Sequence, residues 1–274
     1  MKWPSELVLI RHAESAYNVL KEKKRKDGEY REFEQLFEKN PRTPSLRRMA
    51  LRLHARYALR CSDRDTPLTA LGEAQARFTG VRMRELGMPA PHVIFVSPYK
   101  RTVDTLRFLR EGWPELRHAR EYNEERIREK DHGLALLYND WRFYHVMQPE
   151  QAELSRLLGE YDYRFVNGEN IPDVRQRTRS WFSTLTREFA GQRVMAITHH
   201  LTILAVRANL ERMGPEEFLR LDRHEKPVNC GVTRYAGAPA EGRQGRLILD
   251  EYNRQLFSAD DLAGLRVRRL RRQS

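Results

Sequence analysis

Three short apolar runs constrain the fold of this chain more than any other feature. They are "ELVLI" (6–10), "HVIFV" (92–96) and "RVMAIT" (193–198). Each run is short and rich in β-branched residues, as is typical of a strand that is buried on both faces. The spacing between the runs leaves room for helices, so the strands are not expected to form simple hairpins.

Helical patterns fill the space between the strands. Apolar side chains recur at helical spacing in two stretches, at Leu71, Ala74, Phe78 and Val81 and again at Val174, Thr178, Trp181, Leu185 and Phe189. Strands that alternate with helices predict a mostly parallel sheet with helices on both faces. The fold class is therefore α/β, a three-layer α/β/α sandwich. Two late β-like runs (231–236 and 246–252) could extend the sheet.

Residues 20–64 interrupt this alternation. The segment is heavily charged and mostly helix-forming, with a break around "NPRTP", and it predicts a helical insertion. A basic tail covers about 254–274, and no Gly/Ser linker divides the chain. We therefore predict one domain over 1–274 with an insertion and a tail.

The charge balance favours an anionic partner. The chain has 50 Lys and Arg residues against 38 Asp and Glu, a formal net charge of +12. Phosphorylated metabolites, nucleic acid and acidic membranes all fit such a surplus. Two cysteines cannot form a disulfide framework. With no signal peptide or long apolar segment evident, we expect a soluble, cytoplasmic protein that does not bind membranes.

Polar clusters follow each of the three main strands. Ligands bind beyond the carboxyl ends of strands in open α/β sheets, so these positions are candidate site residues. We expect Ser97 to cap a helix and to place a cation one turn inside it. The candidates are Arg11, His12, Arg101, His199 and His200.

This set of side chains suits phosphoryl transfer. The planar guanidinium of arginine matches phosphate oxygens and always carries a charge. Histidine acts as a nucleophile, acid or base near neutral pH. Such a cluster needs neither metal nor cofactor, and no metal-ligand motif such as HExxH occurs. The leaving oxygen also needs a proton donor, for which spacing alone leaves four candidates: Glu124, Glu125, Glu129 and Asp131.

The chain resembles the histidine phosphatase superfamily, also called the phosphoglycerate mutase-like fold. "LIRHAES" is similar to the R-H-G-E-S signature of that family. Five further segments follow in the family's order: "DTPLTALGEAQA", "SPYKRTVDT", "RIREKDHG", "NGENIPDVRQR" and "MAITHHLTI". Each match alone is weak, but their common order over residues 7 to about 210 is specific.

The resemblance implies a role for each matched position. His12 would be the nucleophile that becomes phosphohistidine, and Glu129 would protonate the leaving alcohol and then activate water. Three side chains would hold the phosphoryl group, and Asn18 would add a contact to it. Those three are Arg11, Arg101 and His199. For this chemistry His12 must be neutral, whereas His199 is more useful protonated against phosphate, which predicts a bell-shaped pH–rate profile on the acidic to neutral side.

Two departures from the family pattern bear on substrate choice. Ala13 replaces glycine in the first motif, and His200 replaces glycine in the last. A side chain at position 200 could narrow the pocket or contact the substrate. The insertion at 20–64 lies where a lid over the pocket would grow.

Three functions remain open at this point. The favoured one is hydrolysis of a small phosphomonoester. The second is a phosphoglycerate mutase, although the mutase-like "F-T-G-W" segment before the second motif is absent. The third is a non-catalytic binding protein that uses the basic runs at 21–26 and 266–272. Nucleic acid is not favoured, because no aromatic residues interleave these runs. A homo-oligomer is possible.

Overall fold

The computed structural model describes residues 2–241, 245–258 and 260–262. The chain forms two compact units. The sheet unit comprises residues 1–15, 64–129 and 175–274, and the helical unit comprises residues 16–63 and 130–174. Residues 263–274, which hold most of the predicted basic tail, lie outside the described residues.

The sheet unit is organised around six strands in the order β3-β2-β4-β1-β5-β6. The strands are β1 (Glu6–Arg11), β2 (Val93–Val96), β3 (Arg120–Asn123), β4 (Arg193–Thr198), β5 (Val232–Ala238) and β6 (Arg246–Arg254). The first four strands pair in parallel. Strand β5 runs antiparallel to both β1 and β6. The predicted mostly parallel sheet is thus confirmed, including its two late strands.

Helices account for most of the remaining described residues. The α-helices are α1 (Ala16–Lys26), α2 (Gly28–Lys39), α3 (Pro44–Arg56), α4 (Ala70–Glu85), α5 (Lys100–Gly112), α6 (Trp141–Met147), α7 (Pro149–Asp162), α8 (Ile171–Glu188), α9 (His200–Leu210) and α10 (Pro215–His224). Short 3-10 turns lie at Pro114–His118, Glu125–Ile127 and Gly133–Tyr138. No helix among the residues that the structure describes is long and apolar enough to cross a membrane.

The central strands are covered on both faces, as the continuous apolar runs predict. Successive side chains of a strand point to opposite faces. Val8 and Ile10 of β1 pack with side chains of α4 and α5, such as Met83 and Leu109. Leu7 and Leu9 pack on the other face with side chains of α8 and α9, namely Trp181, Leu185, Ile203 and Val206. These layers form the predicted α/β/α sandwich.

The buried face of α4 differs from the predicted one. Ala74 is buried as predicted, but Leu71, Phe78 and Val81 are only partly buried, whereas small residues such as Thr79 and Gly80 are buried. A Cβ atom added to Gly80 would lie 2.4 Å from the carbonyl oxygen of Leu109 in α5. The backbones of the two helices approach too closely for large side chains, which is why the small residues face inward.

The second helical pattern and the remaining strand had different outcomes. The residues of the second helical pattern are all buried, namely Val174, Thr178, Trp181, Leu185 and Phe189. Strand β3 was not predicted from the sequence. Its four residues, REYN, are all exposed and lie at the edge of the sheet, so they carry no apolar run.

The helical unit has its own core. Side chains of α2 and α3 pack against α6, with Tyr30, Phe33, Leu46, Leu53 and Phe143 at the centre. Residues 20–64 are helical over α1, α2 and α3, with the break at residues 40–43.

One member of the basic run at 21–26 is buried, although such runs normally lie on a solvated face. Lys24 is only 3% exposed, and its Nζ lies 2.7 Å from Asp140 Oδ2. The hydroxyl of Tyr30 donates to the same carboxylate oxygen at 2.5 Å. This lysine is therefore a structural residue of the helical unit and cannot contribute to a basic binding surface.

Candidate active site

The carboxyl ends of β1, β2 and β4 meet at one edge of the sheet. These strands are neighbours and parallel, with Arg11 opposite Thr198 and Val96 opposite Ile197. The polar residues that follow the three strands therefore lie side by side. The sheet topology brings together His12, Ser97 and His199 in this way.

His12 is a buried imidazole with one ring nitrogen fixed. His12 is 4% exposed, and its Nδ1 lies 2.7 Å from the carbonyl oxygen of Ala13. A carbonyl oxygen only accepts hydrogen bonds, so Nδ1 carries the hydrogen and Nε2 keeps its lone pair. Burial lowers the pKa of His12 well below its usual value, and the charges of Arg101 and Arg11 lower it further. Neutral His12 is therefore suited to act as a nucleophile.

His199 faces His12 across the edge of the sheet. The two ring centroids are 5.3 Å apart, and His199 is fully buried at the residue before α9. Its Nε2 lies 2.7 Å from Ser97 Oγ. Burial lowers the pKa of His199 well below its usual value, followed by the effect of Arg101. The lowered pKa favours a neutral His199 at neutral pH, whereas the resemblance to the family led us to expect a protonated ring.

The role predicted for Ser97 was wrong. Helix α5 begins at Lys100, with Tyr99 as its N-cap and no side-chain cap. The Ser97 hydroxyl instead contacts His199, and Arg101 lies in the first turn of the helix. The serine thus orients an imidazole and does not cap a helix.

Arg101 places a second cation beside both histidines. It is 4% exposed, and its guanidinium carbon lies 4.8 Å from the centre of the Tyr99 ring. Thr105 connects this helix to the residue after His12, because its Oγ1 accepts from the Ala13 N–H at 3.0 Å and donates to the Arg101 carbonyl at 2.6 Å.

Arg11 completes the cationic set at the end of β1. Its Nη1 donates to the carbonyl oxygen of Pro227 at 2.7 Å. Burial lowers the pKa of Arg11, and the charge of Glu129 opposes this shift. The structure thus brings Arg11, His12, Arg101, His199 and Glu129 together within the sheet unit.

The structure separates the four candidate proton donors. Glu124 is bound by its neighbour Arg126, with Oε2 only 2.6 Å from Nη2. The exposed Glu125 lies 3.7 Å from Arg64. Asp131 belongs to the helical unit. Of the four, Glu129 is the one whose charge acts on Arg11.

The two remaining predicted substrate contacts are His200 and Asn18. His200 opens α9, and its Nε2 lies 2.8 Å from Asp222 Oδ1 on α10, an ion pair when the imidazole is protonated. The charge of His200 also lowers the pKa of His12, which places it near the nucleophile. Asn18 lies on α1 in the helical unit, and its contact with phosphate stays a prediction.

Sequence reasoning missed the loop from Pro227 to Gly231, which contacts the backbone of His12. Asn229 Nδ2 donates to the carbonyl oxygen of His12 at 2.9 Å. The loop itself is fixed by Asn253, whose Oδ1 accepts from the Val228 N–H at 2.6 Å. The signal was present as Pro227 and Gly231 around "KPVNCG", where proline and glycine mark an ordered turn before a strand.

The site contains two buried polar atoms that an anion would satisfy. Among the described residues, Arg11 Nε and His199 Nδ1 are buried without a hydrogen-bond partner. An unmade hydrogen bond on a buried group costs about 1–3 kcal/mol, so an anion that accepted from these two atoms would be stabilised by that contact. No group of three or more His, Cys, Asp or Glu residues in the described ranges is placed to hold a metal ion.

The fold and the polar cluster at the edge of the sheet agree with a known protein family. The sequence profile of the histidine phosphatase superfamily (branch 1) matches residues 53–244, and the chain belongs to this family. The first motif, with Arg11 and His12, precedes the matched range.

Two curated relatives come from Arabidopsis thaliana. The phosphoglycerate mutase-like protein AT74H is 33% identical over 135 residues, and AT74 is 30% identical over 151 residues. The matches cover 46% and 53% of this chain and 46% of each relative. The chain thus spans about half the length of these relatives.

Solved structures share the fold at low identity. A mycobacterial glucosyl-3-phosphoglycerate phosphatase with inorganic phosphate superimposes with a TM-score of 0.58 at 21% identity, over 92% of this chain and 98% of that one. The α-ribazole phosphatase of Shigella flexneri gives a TM-score of 0.63 at 16% identity, over 93% and 98%.

Proposed function

We propose that this protein hydrolyses a small phosphomonoester through a phosphohistidine intermediate, without a metal or cofactor. The observation that carries the proposal is the pairing of a neutral, oriented His12 with two buried polar atoms on Arg11 and His199 that lack partners among the described residues. A phosphoryl group supplies acceptor oxygens for those atoms and an electrophile for the imidazole.

The first step transfers the phosphoryl group to the enzyme. Nε2 of His12 attacks phosphorus, and the bond from phosphorus to the substrate oxygen breaks. Glu129 gives its proton to that oxygen, so the product leaves as an alcohol. Arg11 and Arg101 neutralise the phosphoryl oxygens, which is the main requirement of such transfers.

The second step returns the enzyme to its starting state. Glu129, now a carboxylate, takes a proton from water as the water oxygen attacks phosphorus. The nitrogen–phosphorus bond breaks, and inorganic phosphate leaves with Glu129 again protonated. The same carboxylate serves as acid and then as base, as microscopic reversibility requires.

A phosphoglycerate mutase is the second candidate, and the names of the Arabidopsis relatives favour it. It would use the same site but return the phosphoryl group to a substrate hydroxyl. The names of the structural neighbours favour hydrolysis, since they are phosphatases of a glucosylated phosphoglycerate and of α-ribazole phosphate.

The deciding experiment compares the wild type with His12→Ala across a panel of sugar phosphates, phosphoglycerates, nucleotides and phosphopeptides, in EDTA. We expect phosphate release to fall by a factor of about 1,000 or more in the variant. The matched control is His118→Ala, because His118 is exposed and lies outside the site. Trapping of acid-labile phosphate on His12 would identify the intermediate.

Two results would contradict this proposal, the first its mechanism and the second its reaction. Full activity in His12→Ala would rule out His12 as the nucleophile. A mutase would be established if the protein, with a bisphosphoglycerate primer, converted 3- to 2-phosphoglycerate faster than it released phosphate. An inactive protein that binds RNA with a steep salt dependence would instead indicate the non-catalytic function.

A further inference from the structure

Tyr99 is the residue at the phosphate site to which neither motif nor mechanism assigns a role. It occupies an unspecified position of the segment "SPYKRTVDT" and is the N-cap residue of α5. Its ring is partly buried between two groups that the proposed function places on phosphate, Arg101 and His199.

Both contacts of the ring have favourable geometry. The guanidinium carbon of Arg101 lies 4.8 Å from the ring centroid, within cation–π distance. The imidazole of His199 meets the same ring at 5.0 Å with an interplanar angle of 69°, an edge-on arrangement. One aromatic side chain thus contacts the cation and the second histidine at the same time.

The backbone of Tyr99 is held by hydrogen bonds at the start of α5. Its carbonyl oxygen accepts from the Thr102 hydroxyl at 2.6 Å and from the N–H groups of Thr102 and Val103 at 3.0 and 3.1 Å. These bonds tie the residue to the first turn of α5, which also carries Arg101. The backbone positions from which the ring and the guanidinium extend are therefore fixed relative to each other.

We infer that Tyr99 is a positioning residue that sets the affinity of the site for the phosphoryl group, an inference that rests on the proposed function. The negative face of the ring stabilises Arg101, a cation that is 4% exposed and lacks the solvation of water. The ring also holds His199 in the orientation in which its buried Nδ1 can donate to phosphate. Removal of the ring is expected to weaken phosphate binding while leaving the nucleophile intact.

The test measures inorganic phosphate binding by calorimetry on the full chain, together with kcat and KM for p-nitrophenyl phosphate. Tyr99→Leu is expected to weaken phosphate binding about tenfold, from loss of the cation–π contact. Tyr99→Phe keeps the ring and should stay within about twofold of the wild type. Val103→Ala, an exposed position on the same helix, serves as the matched control and should not change binding.

A second pair of variants with the same side-chain shape changes the charge of the ring face without changing its packing. Trifluorophenylalanine at position 99 keeps the shape of phenylalanine and withdraws the negative charge of its face. The fluorinated variant is expected to bind phosphate more weakly than Tyr99→Phe. The two variants are expected to have the same melting temperature. Equal affinities would overturn the electrostatic role of the ring.

The two probes separate this inference from the proposed function. If Tyr99→Leu raises KM for the aryl ester but leaves phosphate binding unchanged, Tyr99 contacts the leaving group and the inference is wrong. If the wild type hydrolyses no substrate but Tyr99→Leu still binds phosphate more weakly than the wild type, the proposed hydrolysis fails and the positioning role stands.

Discussion

At the scale of single residues, burial and then nearby charge explain the lowered pKa values of the two histidines. Both imidazoles are buried, and Arg101 lowers the pKa of each. A lowered histidine pKa keeps the ring neutral at pH values where an exposed histidine would be charged. In the proposed function, the same arginines thus keep the nucleophile unprotonated and attract the anionic substrate.

The first prediction concerns the titration of His12. Because Arg101 lowers the pKa of His12, Arg101→Gln should raise it toward the ordinary histidine value. Carbon-13 NMR of labelled imidazoles can follow this titration without enzymatic activity. Asp250→Asn on β6, an exposed position, is the control. An unchanged His12 titration in Arg101→Gln would show that burial alone sets the pKa.

The second prediction concerns Ser97. Ser97→Ala removes the partner of His199 Nε2, and loss of about 1–1.5 kcal/mol should lower kcat/KM about tenfold. Ser183→Ala, an exposed serine of α8, should leave kcat/KM unchanged. If Ser97→Ala is as active as the wild type, the hydroxyl does not orient the imidazole. The free energy of unfolding of each variant is measured in urea.

At the scale of elements, the contact of α4 with α5 depends on residues without side chains. Gly80 faces the Leu109 carbonyl, and a Cβ atom added to Gly112 would lie 2.1 Å from the Arg77 carbonyl oxygen. This close approach fixes α5 against α4. Since α5 carries Arg101 in its first turn, the packing of two helices sets the position of a site residue.

The third prediction follows from that contact. Gly80→Ala should lower the free energy of unfolding by about 1–3 kcal/mol, because the helices must separate to admit the methyl group. Gly28→Ala is the matched control, since no atom lies within 4 Å of the added Cβ and alanine favours the helix. Urea denaturation measures both. A Gly80→Ala variant as stable as the wild type would mean that the helices adjust without cost.

The fourth prediction belongs to the helical unit. His145 of α6 is 4% exposed among aromatic rings, and burial lowers its pKa to about 4. The unfolded chain takes up a proton near pH 6.5 and the folded chain only near 4. Stability should therefore fall by about 1–2 kcal/mol as the pH drops from about 7.5 to about 5.

The variant His145→Phe should flatten this pH dependence, whereas His118→Ala at an exposed site should leave it unchanged. The measurement is the free energy of unfolding in urea at both pH values. Equal slopes in the wild type and His145→Phe would assign the acid sensitivity to other groups.

At the scale of the whole molecule, a ligand that binds only the folded state stabilises it. Inorganic phosphate should raise the melting temperature of the wild type, and the rise should disappear in the variant Arg11→Ala. A concentration series of phosphate with sulfate as the comparison ion measures this effect. An increase that persists in Arg11→Ala would place the anion elsewhere.

Much of the architecture could be predicted from the sequence because it depends on local patterns. The runs at 6–10, 92–96 and 193–198 are short, apolar and β-branched, and each forms a parallel strand. Strand β3 lacks such a pattern, since it is an exposed edge strand. The buried face of α4 was also missed, because small residues pack inward only where another backbone comes near.

The sequence by itself determined which residues end the strands, whereas the order in which those strands pair came only from the tertiary structure. Only the tertiary structure decided which partner each side chain meets. Ser97 contacts His199 instead of capping its helix, Asn229 holds His12 from 217 positions away, and Lys24 is buried against Asp140. Such contacts join residues distant in the chain, and no local pattern encodes them, because packing sets the distances on which hydrogen bonds and charge effects depend.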